Sequence, residues 1–179
     1  MVDGTLAADI NRRCRLSGSF TLRSGQQATE YFDKYRFESD PALLRRVAEA
    51  MVALLPPATE VLGGLELGGV PIAVALGQLT GMPAVFIRKQ AKTYGTCQLA
   101  EGLDVGGRAV TLIEDVITTG GAVSDAALAL RELGAAVEHV VCAIDRSRPG
   151  ENRLGEIGLR THAVLTRADL DAAQASPSQ

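Results

Sequence analysis

Aromatic side chains are scarce in this 179-residue chain, because Phe, Tyr and Trp make up only 4% of it and Trp is absent. Alanine, valine, leucine and glycine are abundant instead. This composition favours a sheet covered by small-residue helices over an aromatic-rich sandwich. With 46% apolar and 22% charged residues, the chain can form one globular domain with a substantial core.

Cysteine and strong charge are also lacking. Cys14, Cys97 and Cys142 stand far apart without a CxxC motif, and only two histidines are present, which disfavours a zinc site and predicts reduced thiols. The net charge of -3 gives no general attraction to nucleic acid or anionic membranes, so we expect neither partner. The first residues lack a signal-peptide apolar core, and no stretch approaches a membrane span. A soluble cytoplasmic protein is expected.

Apolar patterning predicts alternating strands and helices. A short amphipathic helix is expected at residues 5–16, short strands and turns up to residue 37, and a helix from Asp40-Pro41 until Pro56-Pro57. Further strands are expected at 61–63, 84–88, 109–115, 137–145 and 161–165, with helices at 70–79 and 122–133. This order predicts an α/β fold with a mostly parallel, doubly wound sheet flanked by helices. We expect a small N-terminal hood at 1–38, a core at 39–170 and a frayed tail at 171–179.

Ligands of such sheets bind beyond the carboxyl ends of the strands, which directs attention to residues 63–69, 88–102 and 114–121. In the third segment, Glu114 and Asp115 end an apolar strand, and Thr118 to Gly121 allow a sharp turn before a helix. Backbone amides at such a turn suit a phosphate group, and two carboxylates suit sugar hydroxyls. The segment could also be a solvated loop with a helix cap, but its acids, threonines and glycines together favour a binding role.

A basic cluster follows the predicted strand at 84–88. Arg88, Lys89 and Lys92 lie within five positions, and Tyr94 comes soon after. A charged run is usually only a solvated surface. Its place at the expected ligand edge favours a role in binding an anion.

Residues 110–122, VTLIEDVITTGGA, resemble the phosphoribosyl diphosphate signature of the type I phosphoribosyltransferases. The segments FTLRSG (20–25), YFD (31–33), RKQAKTYG (88–95), LAEG (99–102) and IDR (144–146) resemble the orotate phosphoribosyltransferases of that family. The similarity covers nearly the whole chain. It implies an enzyme of pyrimidine biosynthesis that transfers the 5-phosphoribosyl group from phosphoribosyl diphosphate to orotate, giving orotidine 5'-monophosphate and diphosphate with magnesium.

The resemblance also implies roles for individual residues. Lys92, Glu114 and Asp115 would be catalytic, the two acids holding the ribose hydroxyls, and Gly68 and Gly69 would belong to a diphosphate loop. The residues expected to bind phosphoribosyl diphosphate are Arg23, Arg88, Lys89, Lys92, Tyr94, Glu114, Asp115, Val116, Ile117, Thr118, Thr119, Gly120, Gly121 and Ala122. This chain differs from some relatives at four positions. Those relatives have aspartate in place of Glu114, lysine in place of Gly68 and of Arg23, and histidine in place of Tyr94.

Orotate recognition is expected to involve Arg146, Thr118, Tyr31 and Phe32. Arg146 matches the residue that binds the orotate carboxylate, and the two aromatic residues match a pair that covers the base. Alternatively, the aromatic residues belong to the core of the hood. A salt bridge to Asp145, or a surface position, is the alternative for Arg146.

The resemblance implies a homodimer in which the loop Arg88–Gly102 closes over the site of the neighbouring subunit. Magnesium is expected to bind mainly through the diphosphate and ribose oxygens of the substrate, so no protein metal ligand is assigned. Two other functions stay open: a phosphoribosyltransferase for a purine or uracil, and a regulator that senses phosphoribosyl diphosphate without catalysis. Lys92 and the lack of a helix-turn-helix extension favour the enzyme.

Overall fold

The computed structural model describes residues 4–21, 25–89, 99–148 and 150–175. Within these ranges the helices are α1 (Gly4–Cys14), α2 (Tyr35–Glu38), α3 (Pro41–Val52), α4 (Gly69–Thr80), α5 (Gly121–Glu132) and α6 (Arg167–Ala175). The strands are β1 (Arg15–Thr21), β2 (Gln27–Phe32), β3 (Val61–Leu65), β4 (Ala84–Ile87), β5 (Ala100–Glu101), β6 (Ala109–Ile117), β7 (Ala136–Asp145) and β8 (Arg160–Thr166). A short 3-10 helix spans Leu154–Ile157.

The central sheet has the strand order β5-β4-β3-β6-β7-β8. Its pairs are parallel except for β4 and β5, which are antiparallel. Successive side chains of a strand point to opposite faces, so Ile113 packs in one apolar core and Leu112 in the other. Helices α3 and α4 contribute to the first core and α5 to the second. The predicted α/β fold with a mostly parallel, doubly wound sheet is confirmed.

Helix α3 begins where its sequence signals place it. The Asp40 carboxylate accepts hydrogen bonds from the amides of Ala42 and Leu43, at 3.0 and 3.2 Å. Pro41 occupies the first turn, where a proline costs no helical hydrogen bond. The helix ends at Val52, before the two prolines that were expected to stop it.

The hood consists of α1, the antiparallel hairpin β1-β2 and α2. Its buried side chains Ile10 and Phe37 pack in the same apolar cluster as Val47 and Met51 of α3. The described part of the predicted hood therefore shares a continuous core with the elements that follow it. This packing fixes the hood against one side of the central sheet.

The helix predicted at residues 5–16 is two residues too long, because α1 ends at Cys14. Arg15 and Leu16 instead begin β1, where they pair with Phe32 and Tyr31. Arg15 also forms ion pairs with Glu30 on the neighbouring strand and with Asp171. Cross-strand contacts therefore override the helical spacing of Leu16.

The prediction of a frayed tail from residue 171 is wrong for residues 171–175, which belong to α6. The helix is held by Leu170, which is buried, and by the Asn11 side-chain amide, which donates a hydrogen bond to the Leu170 carbonyl. Residues 176–179 lie outside the described ranges. No helix in the described part of the chain is long and apolar enough to span a bilayer.

Candidate active site

Two acids lie at the carboxyl end of β6, at the centre of the sheet. Glu114 and Asp115 are both buried, and β6 continues past them to Ile117, two residues further than predicted. The Asp115 amide donates a hydrogen bond to Glu114 Oε1 at 3.0 Å, and the Val116 amide donates to Asp115 Oδ1 at 2.5 Å. The strand therefore fixes both carboxyl groups at the edge where ligands of parallel sheets bind.

Two further charged residues reach these acids from the hood. Lys34 Nζ lies 2.6 Å from Asp115 Oδ2. Glu38 is buried, and its Oε1 and Asp115 Oδ2 both border Gly68, since a Cβ atom there would be 2.7 Å from the first and 1.8 Å from the second. No sequence motif singles out Lys34 or Glu38, because charged residues in a short segment without periodicity look like a solvated surface.

The environment separates the pKa values of these three carboxyl groups. Burial, together with the hydrogen bond and charge of Asp115, raises the pKa of Glu38 to about 8 and that of Glu114 to about 9. Burial alone would also raise the pKa of Asp115, but hydrogen bonds from Glu114, Glu38 and Lys34 lower it to about 2. The surroundings therefore favour the ionised form of Asp115 and the protonated form of the two glutamic acids.

The turn after β6 has the conformation expected of a phosphate-binding segment. Thr118 and Thr119 are exposed, Gly120 is left-handed with φ of 78°, and α5 begins at Gly121. The amides of a first helical turn have no partner within the helix, so those of Gly121 and Ala122 can bind an anion. The buried Ile117 side chain packs in the core, so this residue can offer only its backbone to a ligand.

The predicted diphosphate loop lies directly against the acids. A Cβ atom on Gly68 would be 1.8 Å from Asp115 Oδ2, and one on Gly69 would be 2.2 Å from the Ile113 carbonyl oxygen. At Gly69 the overlap is with backbone, so only glycine fits there, whereas a side chain at position 68 would have to displace the Asp115 and Glu38 carboxyl groups. The structure thus brings together two of the segments predicted from the sequence, the loop at 63–69 and the strand end at 114–121.

A cavity of about 530 Å³ lies between this turn and the end of β4. Arg88 and Lys89 line it on one side, and Gly121 and Ala122 on the other. Among the described residues, the buried Arg88 Nε has no hydrogen-bond partner. The Lys89 amide donates to Glu66 Oε1 at 2.7 Å, which fixes the start of the basic segment. Two cations and a helix N-terminus therefore face the same space, which the acids Glu66 and Asp125 also line.

Of the residues expected to bind the base, the structure brings Arg146 and Phe32 together. The Arg146 guanidinium carbon lies 4.8 Å from the centroid of the Phe32 ring. Burial, with the charges of Arg167 and Arg15, lowers the pKa of Arg146 from its usual value. The Asp145 carboxylate accepts hydrogen bonds from the amide and hydroxyl of Ser147, at 2.9 and 2.6 Å.

Tyr31 is not part of this contact. Neighbouring residues of β2 point to opposite faces of the hairpin, and the Tyr31 ring packs on Phe20 with a centroid distance of 5.5 Å. Arg23, Lys92 and Tyr94 lie outside the described residues, as does most of the loop between Lys89 and Leu99. In the described ranges, no group of three or more His, Cys, Asp or Glu residues is arranged to hold a metal ion.

The arrangement combines cations and backbone amides for phosphate groups with a buried carboxylate for hydroxyl groups. A guanidinium beside an aromatic ring can in addition bind a flat, acidic molecule. No family model matches the chain.

Comparison with known proteins finds close relatives over nearly the full length. The chain is 68% identical over 173 residues to the orotate phosphoribosyltransferase of a Nocardioides species, covering 97% of each chain. It is 39% identical to that of Methanocella arvoryzae, over 86% of this chain and 87% of the relative. The Mycobacterium tuberculosis orotate phosphoribosyltransferase in complex with phosphoribosyl diphosphate superposes with a TM-score of 0.76 at 30% identity, covering 94% and 98% of the two chains.

Proposed function

The chain belongs to the orotate phosphoribosyltransferase family, and from this premise we propose how its residues perform the reaction. The enzyme transfers the 5-phosphoribosyl group of phosphoribosyl diphosphate to orotate in pyrimidine biosynthesis, giving orotidine 5'-monophosphate and diphosphate. One observation carries the assignment of the site. The buried Asp115 carboxylate lies against Gly68 of the diphosphate loop and three residues before the phosphate-binding turn, so ribose and both phosphate subsites adjoin.

The reaction breaks the bond between the anomeric carbon and diphosphate. Positive charge then develops on the sugar and negative charge on the leaving group. We assign the ribose hydroxyls to Glu114 and Asp115, and the 5'-phosphate to the backbone amides and hydroxyls of residues 118–122. The ionised Asp115 near the developing positive charge stabilises the transition state more than the ground state.

Arg88 and Lys89 provide the cations at the cavity, which supports a role in binding phosphoribosyl diphosphate. We propose the same role for Arg23, Lys92 and Tyr94, on the basis of the sequence resemblance alone. Lys92 would act on the leaving diphosphate when the loop closes, and closure would keep water from the sugar centre.

Arg146 is proposed to bind the orotate carboxylate, because a guanidinium can donate two parallel hydrogen bonds to it. Phe32, which lies under this guanidinium, would form one flat wall of the base site. Thr118 is exposed at the end of β6 and could contact both substrates. Tyr31 would support the base site only indirectly, by stabilising the β1-β2 hairpin, because its ring packs on Phe20.

Magnesium fits this donor set, because the ionised Asp115 offers oxygen, which Mg²⁺ prefers, beside the diphosphate loop. Asp115 would hold the ion through water, and the bound ion would supply charge neutralisation of the diphosphate. We further propose a homodimer with sites shared through the Arg88–Gly102 loop, and a cytoplasmic location, as the reaction uses soluble substrates.

An assay with four bases tests the proposal. The purified protein, magnesium and phosphoribosyl diphosphate are incubated separately with orotate, uracil, hypoxanthine and adenine, and base consumption is followed by absorbance. We expect consumption of orotate alone, and none after chelation of magnesium. Turnover of another base instead of orotate would contradict the assignment of Arg146. Binding of phosphoribosyl diphosphate without turnover of any base would indicate a regulator.

A further inference from the structure

Lys34 is a charged residue in contact with Asp115 that no sequence motif assigns. It lies two residues after the end of β2 and directly before α2, and its side chain is 33% exposed. Its ammonium group pairs with Asp115 Oδ2 at 2.6 Å, and this contact joins the hood to the carboxyl end of β6. An ion pair that reaches across two structural units into the reaction site needs a functional explanation.

The position of Asp115 Oδ2 defines what lies beside the ammonium group. The same oxygen that contacts Lys34 Nζ would be 1.8 Å from a Cβ atom on Gly68. Lys34, the Asp115 carboxylate and the diphosphate loop are therefore consecutive neighbours. Gly68 and Gly69 can offer backbone amides to a diphosphate but no charge, so this part of the site depends on a cation from elsewhere in the chain.

We propose that Lys34 exchanges partners during the reaction, pairing with Asp115 in the free enzyme and with the substrate diphosphate in the complex. This inference rests on the proposed function. When the ribose hydroxyls donate to Asp115, they take the acceptor positions that Lys34 occupies. The released ammonium group lies next to the loop that binds the diphosphate and moves only a short distance to reach it.

Lysine suits such an exchange, because its ammonium group is a compact charge with three donors on a flexible stem. The carboxylate of Asp115 keeps Lys34 protonated, since their hydrogen bond raises the lysine pKa although burial opposes this. As the carbon–oxygen bond breaks, its electron pair stays on the diphosphate, and Lys34 donates hydrogen bonds without losing its proton. The exchange thus couples sugar binding to stabilisation of the leaving group.

Binding measurements on Lys34→Ala and Lys34→Arg test the proposal. Calorimetric titrations with magnesium diphosphate and with ribose 5-phosphate separate the two halves of the substrate. For Lys34→Ala we expect diphosphate to bind about tenfold more weakly or worse, as for a lost charge-assisted hydrogen bond. Ribose 5-phosphate should bind equally or more tightly, because Asp115 is free. Lys34→Arg keeps the charge and should retain most of the diphosphate affinity.

Arg45→Ala is a matched control, because Arg45 is an exposed cation on α3 that pairs with Glu49. It should leave both affinities unchanged. If Lys34→Ala does not fold, Lys34→Gln replaces it with the same expectations. Unchanged diphosphate affinity in a folded variant, or an equal loss for both ligands, would overturn the proposal. Wild-type turnover of orotate tests the proposed function separately, so the two failures are distinguishable.

Discussion

The guanidinium of Arg146 lies over the Phe32 ring, with 4.8 Å between the guanidinium carbon and the ring centroid. Arg146 follows β7 of the core, and Phe32 ends β2 of the hood. The proposed base site therefore lies where the two units meet, and we expect both to be needed for a flat acid to bind.

Replacing Arg146 with alanine should raise the Michaelis constant for orotate by about tenfold or more, because a guanidinium–carboxylate contact is lost. The constant for phosphoribosyl diphosphate should change far less. Steady-state kinetics with each substrate varied in turn measures both. Arg148→Ala, which removes a nearby exposed cation paired with Glu151, serves as the control. An equal rise for both substrates would contradict the role of Arg146.

Asp115→Asn removes the charged carboxylate at the proposed ribose subsite while keeping its shape. We expect kcat/KM for phosphoribosyl diphosphate to fall on the order of a hundredfold, because a charge-assisted acceptor in a buried site is lost. Glu114→Gln should have a smaller effect at neutral pH, since burial raises the pKa of Glu114 to about 9 and keeps it protonated. Wild-type kinetics in Asp115→Asn would show that the acid is only structural.

Gly69→Ala should destabilise the fold, because its Cβ would be 2.2 Å from the Ile113 carbonyl oxygen. The overlap is with strand backbone, which cannot move aside as a flexible side chain can. We expect the free energy of unfolding to fall by about 1–3 kcal/mol, as in other overpacked sites. Urea denaturation measures the loss. Gly155→Ala is the matched control, as open space surrounds that position; equal stability of the two variants would refute the prediction.

The raised pKa of Glu38 makes stability depend on pH. Burial and contact with Asp115 raise this pKa from 4.5 to about 8, so the folded protein keeps a proton that the unfolded chain releases. The contribution of Glu38 to the free energy of unfolding is fully present below pH 4.5. It is lost as the pH rises towards 8, at up to about 1.4 kcal/mol per pH unit.

Glu38→Gln keeps a hydrogen-bonding side chain that does not titrate. The difference in free energy of unfolding between about pH 5.5 and 7.5 should therefore be smaller in this variant than in the wild type. Urea denaturation at the two pH values provides the measurement. Glu114 still titrates in the variant, so part of the dependence remains. An identical difference in both proteins would mean that Glu38 is ionised in the folded state.

The sequence predicted the fold well where one residue pattern decides the local structure. The Asp40 side chain fixes the start of α3 through local hydrogen bonds, and the apolar run around Leu112 matches the pattern of a buried strand. The end of α1 and the whole of α6 were missed, because they depend on partners far along the chain. Leu16 pairs with Tyr31 across the hairpin, and Leu170 is held by Asn11.

The same distinction applies to the site. One continuous segment contains Glu114, Asp115 and the turn after them, so the sequence predicts that they lie close together. Lys34 and Glu38 reach Asp115 only because the hood packs on the core, and no spacing in the sequence encodes that contact. Tyr31 and Phe32 are neighbours in sequence, yet the strand sends them to opposite faces.

The close approach of Gly68 to Asp115 also restricts how this sequence can evolve. Any side chain at position 68 would displace the carboxylate that holds Lys34. A cationic side chain introduced at position 68 would thus disturb the ion pair of Lys34 before it could take over the role of Lys34. Positions 34 and 68 are therefore epistatic, and we expect them to co-vary among homologous sequences, with lysine at 34 accompanying glycine at 68.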